Sequence, residues 1–275
     1  MTYVILQCGS TARGDTNPNS DVDWVCIWQG VAPDYTVLAN KYDGLMFYSD
    51  DTVKRMRRKG ALFLVHLDVE GLYVEGDSSL LEIFAGFRPK PSQLRRAAAE
   101  SREFIKNIVW CPGSDVGWFW FLDVLYVALR NYIFCSNALE GVYSFGYVEA
   151  LKGFGVDHEV MGVMLRVREG KYLYREGGSF GEVGLDMEQL EVAVSKILGV
   201  SVRFQFGGMT NWFDSFSSYY WGERKIERAI LNSEYRDDGF LVMMKSHNYS
   251  KRSLKGAVKR IVEKCRGGGA PHVKN

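Results

Sequence analysis

The chain has 275 residues, 47% of them apolar, and a net charge of +1. This is enough to bury two ordinary cores, and neither a disordered polymer nor a globally basic nucleic-acid binder fits. Five cysteines without a Cys-x-x-Cys pair argue against a disulfide scaffold and a zinc ribbon and favour a reducing, cytoplasmic setting. No apolar run approaches a membrane span, and the first ten residues lack the basic flank of a secretory signal.

Residues 2–8 are β-branched and apolar and end in Gly9-Ser10, which predicts a short buried strand. A polar stretch with Gly, Asn and Pro follows over 11–20, a loop with room for one helical turn. Strands are predicted at 21–28, 41–49 and 71–74. Asp50-Asp51-Thr52 can cap a helix through the basic run to Lys59, and 61–67 continues as helix. The texture changes after Phe84. The breaker Arg88-Pro89-Lys90-Pro91 precedes a long helix over 93–109, and a second, aromatic-rich helix covers 116–138. Further helices are expected at 187–198 and 254–265; 141–155 is glycine-rich but also aromatic, and 170–184 and 204–221 read as loop-like or mixed. The predicted class is α+β: a small mixed-sheet domain over 1–87 followed by a mainly helical domain over 88–275.

The segment from Cys8 to Trp24 carries the chemistry. A strand ending in Gly9-Ser10 and leading into a helical turn presents backbone N–H groups, a close-approach glycine and a hydroxyl donor, all suited to phosphate. Side chains alternate along a strand, so Asp21 and Asp23 share one face while Val22 and Trp24 take the other. Two carboxylates that close repel unless a cation sits between them, and a hard ion such as Mg²⁺ is the natural one. A phosphate cradle beside paired carboxylates is what phosphoryl or nucleotidyl transfer needs. Arg13 either meets a phosphate or pairs with Asp15 or Asp21 to orient the loop. His66, on an apolar stretch, reads as a half-buried packing residue.

Gly9-Ser10, Ala12-Arg13-Gly14 and Ser20-Asp21-x-Asp23 together resemble the signature of the DNA polymerase β-type nucleotidyltransferases, nearest to the minimal and aminoglycoside-type bacterial members. Leu62-Phe63, His66-Leu67 and Glu70-Gly71 resemble a further segment of that fold. The resemblance implies a nucleotidyltransferase domain over 1–87, with Gly9, Ser10, Arg13 and Ser20 binding the nucleotide. Asp21 and Asp23 would hold two Mg²⁺ ions, and a third carboxylate on a neighbouring strand would complete the catalytic set. Asp43 is the first choice for it and Asp68 the second.

Residues 118–134 form an aromatic stripe that is mostly core. This region also resembles the helical partner domain of kanamycin-type enzymes, a relative of the HEPN group. Arg130-Asn131 begins that group's ribonuclease motif, but its histidine is absent and no RNase activity is expected. In aminoglycoside enzymes a carboxylate of this region is the acceptor base; Asp123, Glu140 and Glu149 are candidates here. Residues 245–275 carry a net charge of +8. That segment reads either as a solvated amphipathic helix or as a contact for the backbone of tRNA or another RNA. The expected activity is transfer of a nucleoside monophosphate from an NTP to an acceptor hydroxyl on RNA, protein or a small molecule, with release of pyrophosphate. A catalytically weak nucleotide-binding antitoxin or sensor and an aminoglycoside nucleotidyltransferase are the alternatives. A homodimer stays an option.

Overall fold

A computed structural model describes residues 2–16, 22–176, 183–214, 219–246 and 251–267. The chain is mixed α+β, with one four-stranded sheet and an extensive helical part. The backbone falls into two compact units, residues 1–101 with 130–156, and residues 102–129 with 157–275.

In the first unit the sheet runs in the order β3-β2-β1-β4. Its strands are β1 (Thr2–Cys8), β2 (Asp23–Gln29), β3 (Met46–Ser49) and β4 (Leu72–Gly76). β1 lies antiparallel to β2 and β4, and β3 lies parallel to β2. β1 is an interior strand, and its apolar run over 3–6 buries side chains on both faces. Val4, Leu6 and Cys8, with Val25 and Ile27 of β2, pack under helices α3 (Asp50–Lys59) and α4 (Leu62–Glu70). Ile5 and Cys26 face the other way, onto Leu38 of α2 (Tyr35–Lys41), Tyr42 and Leu45. Helix α2 carries the crossover that a parallel β2–β3 pair needs.

Local signals set the helix ends. Ser49 caps α3, its Oγ accepting from Thr52 N–H at 3.2 Å. Asp50 and Asp51 occupy the first turn instead of the cap, and Arg57, Arg58 and Lys59 the last, matching the helix dipole at both ends. Asp34 caps α2 by accepting from Thr36 and Val37 N–H at 2.9 and 3.1 Å.

The predicted third strand is shorter than 41–49, because Lys41 ends α2 and Asp43-Gly44 turns before β3 begins. Two long helices, α5 (Pro91–Asn107) and α6 (Asp115–Leu139), stand where the sequence predicts them. Helix α7 (Tyr147–Phe154) forms inside the glycine-rich stretch and closes on Gly155.

The second unit holds the two-residue strands β5 (Trp110–Cys111) and β6 (Gln205–Phe206) and helices α8 (His158–Glu176), α9 (Met187–Leu198), α10 (Tyr219–Leu231), α11 (Asp238–Ser246) and α12 (Lys251–Arg266). One core of this unit joins Ile226 and Ala229 of α10, Phe240 and Met244 of α11, and Leu254, Val258, Ile261 and Val262 of α12. Asp123, Arg224 and Glu227 are also buried in this unit. Arg224 donates to Glu227 at 2.6 Å and meets Asp123 at 3.1 Å, while Arg175 bonds Asp123 at 2.9 Å. Trp120 and Tyr174 bond Glu227 at 3.3 and 3.1 Å. Burial opposes the Arg224 charge, yet Glu227, Tyr220 and Asp123 hold its pKa well above the ordinary arginine value. No described helix is long and apolar enough to cross a membrane, and all five cysteines are free.

Candidate functional site

The Gly9-Ser10 turn follows β1 directly and opens the five-residue helix α1 (Gly9–Arg13). Register places Cys8 opposite Asp23. Asp23 has the parity of Val25 and Ile27, so its carboxylate rises on the face where α1 begins. Gly9 sits at φ +77°, and a Cβ built there would lie 2.2 Å from Asp23 Oδ2. Two demands thus meet at one glycine: a left-handed backbone and room for a carboxylate against the main chain. The turn closes at Gly14, with Asp15 N–H donating to Ser10 carbonyl oxygen at 3.1 Å.

Asp23 is the described carboxylate opposite Cys8 at this turn, an oxygen donor of the kind a hard cation takes. Cys8 is the soft ligand nearest to hand, but burial first and the Asp23 charge second push its thiol up to about 12, so it stays protonated. Ser20 and Asp21 lie outside the described residues. Among the described residues no three His, Cys, Asp or Glu side chains are grouped to hold a metal. β3 carries no carboxylate, and its residues on the Asp23 face are Met46 and Tyr48, which pack into the core. Asp43 stands in the exposed turn ahead of β3 instead of on a strand. Asp68 accepts from Gly86 N–H at 3.0 Å and pairs with Arg88 at 2.6 Å.

Arg13 pairs with acids, one of its two expected roles. Its Nε meets Asp15 at 3.1 Å and its Nη1 meets Glu70 at 2.8 Å. Burial opposes its charge, but Glu70 and Asp15 outweigh this and raise its pKa. Glu70, at the end of α4, was not singled out as a site residue by the sequence. It is 12% exposed, lies 3.0 Å from His66 Nε2 without hydrogen-bond alignment, and accepts from Phe145 N–H at 3.3 Å. Burial again opposes ionisation, and the His66 and Arg13 contacts win, so Glu70 titrates below the usual carboxylate value. The His66 ring lies tilted, 4.8 Å from Phe145, and edge-on to Phe63, the half-buried packing role its apolar setting predicts.

The three acceptor-side candidates now separate. Asp123 is buried and neutralised by two arginines. Glu140 is exposed beyond the end of α6. Glu149, in the first turn of α7, is exposed, and its Oε2 crowds Gly146, where a Cβ would lie 2.4 Å from it and 3.2 Å from Asp15 Oδ2. Glu149 thereby converges on the loop that carries Arg13 and Asp15.

No protein-family model, curated protein or solved structure matches this chain.

Proposed function

We propose that the protein is a Mg²⁺-dependent nucleotidyltransferase of the DNA polymerase β type. The Asp23 carboxylate set against the backbone of Gly9, at the start of a serine-bearing turn, is the observation that carries this reading. Gly9 and Ser10 seat the NTP phosphates, and Asp23 with Asp21 holds the metal. When bound, Mg²⁺ neutralises the charge of the triphosphate and of the leaving pyrophosphate. An acceptor hydroxyl oxygen attacks the α-phosphorus, the bond to the β-phosphate bridging oxygen breaks, and the hydroxyl proton passes to a carboxylate, a role we assign to Glu149. Positioning and charge neutralisation supply the rate.

The acceptor class follows from charge. Helix α12 buries Leu254, Val258, Ile261 and Val262 and exposes Lys255, Lys259, Arg260, Lys264 and Arg266. That basic face favours a polyanionic acceptor such as tRNA. A nucleotide sensor is the second reading, supported by the lack of a carboxylate on β3. The test incubates the protein with each labelled NTP and Mg²⁺, alone and with total tRNA, a lysate or an aminoglycoside panel. Pyrophosphate release that rises with tRNA and vanishes in Asp23→Ala supports the transferase. NTP binding without turnover supports the sensor.

A further inference from the structure

Glu70 joins three stretches of the first unit that are far apart in sequence. One oxygen, Oε2, takes Arg13 from α1 at 2.8 Å and faces His66 one helical turn back at 3.0 Å. The other, Oε1, takes the Phe145 N–H at 3.3 Å. Phe145 packs tilted against His66 and meets Phe134 edge-on, so the residue is held by rings as well as by the carboxylate. Beyond Phe145 come Gly146 and α7, which carries Glu149. Beyond Arg13 lie the Gly14 turn and Asp15, whose Oδ2 would crowd a Cβ at Gly146. One ionised group thus anchors the nucleotide-side turn and the acceptor-side segment together.

We infer that Glu70 is a positioning residue: its carboxylate fixes the Gly9–Asp15 turn and the 143–149 segment relative to one another, and so sets the distance between nucleotide and acceptor. The coupling of the two segments stands on the contacts alone; its catalytic consequence rests on the transferase reading. The carboxylate needs its charge for Arg13 and its second oxygen for the Phe145 amide. Glutamine keeps an oxygen for one of these partners and loses the charge. Aspartate keeps the charge but is one methylene short. A merely structural carboxylate would tolerate loss of either with a uniform drop in stability.

The experiment measures amide hydrogen exchange over 9–15 and 143–149, and Mg·NTP turnover with added tRNA, in the wild type, Glu70→Gln, Glu70→Asp and Arg13→Gln. Glu70→Gln should speed exchange in both segments and lower kcat about tenfold, with a smaller change in the NTP KM, because alignment and not ground-state affinity is lost. Glu70→Asp should recover part of both effects. Arg13→Gln works from the far end of the contact and serves if Glu70→Gln does not fold; it should speed exchange at 143–149, a segment Arg13 does not bond. Exchange that quickens in neither segment, or only around the substituted residue, overturns the inference. Coupled exchange in a protein that turns over no NTP in any form supports the mechanical link and removes the transferase reading instead.

Discussion

Two ionic clusters, one in each unit, put the same residue types to different use. In the second unit Asp123 and Glu227 face Arg175 and Arg224; Asp123, Arg224 and Glu227 are at most 8% exposed, and Trp120 and Tyr174 each donate to one oxygen of Glu227. Such a network balances its charges, and the loss of one partner leaves a largely buried charge short of a counterion. In the first unit Arg13, Glu70 and His66 retain between 12% and 20% exposure. Screening makes each contact there weaker, and the cluster borders a turn that has its own glycines. Total burial ties the second cluster to packing, whereas partial burial leaves the Arg13–Glu70 pair beside the turn in reach of solvent.

Breaking the buried network is expected to cost the most. Asp123→Ala leaves Arg224 and Arg175 short of a carboxylate and should destabilise the protein by about 3–5 kcal/mol; denaturant midpoints would measure it. Gly9→Ala comes next, at about 1–2 kcal/mol for the left-handed backbone alone, and NTP binding should fall further than stability because the new Cβ displaces Asp23. An unchanged NTP affinity in that variant would detach Asp23 from the turn. Glu70→Gln should cost about 1.5–3 kcal/mol at neutral pH, the range for hydrogen bonds to charged groups. Glu70 titrates below its ordinary value of 4.5 in the folded state. Its contribution is therefore complete above pH 4.5 and lost as pH falls through the lower folded value. Wild type and Glu70→Gln should accordingly converge in stability as pH falls from 5 through the lowered folded value, and a gap constant with pH would contradict the assignment. Asp43→Asn should do least: an exposed turn residue shifts stability by about 0.5 kcal/mol or less, and turnover should stay close to wild type. A sharp loss of turnover would bring Asp43 back into the metal site.

The first unit was the more legible in the sequence because its local signals agree. β1 is built on an apolar run over 3–6 and is followed by glycine, α3 has acids at its start and bases at its end, and Gly9-Ser10 with Asp23 marked the turn that the strand register closes. In the second unit α9 was readable from its Asp186 cap and terminal Gly199. Helix α8 was not, although Val160, Val163, Met164 and Val167 keep helical spacing. Glycines interrupt it, and Gly170 is there because Leu122 fills the place of a side chain, with a Cβ clashing at 2.3 Å. Helix α10 turns Arg224, Glu227 and Arg228 inward, which inverts the polar pattern that marks a helix face. Glu70 stayed hidden as a hub because its partners Arg13 and Phe145 are 57 and 75 residues away, and no local period encodes such a pairing.

Calorimetric titration of a non-hydrolysable NTP, with and without Mg²⁺, into the wild type and Asp23→Asn puts the account at most direct risk. Binding that requires Mg²⁺ and is lost in Asp23→Asn, with the variant as thermostable as the wild type, is the expected result. Equal affinity without the metal, or in the variant, would contradict it.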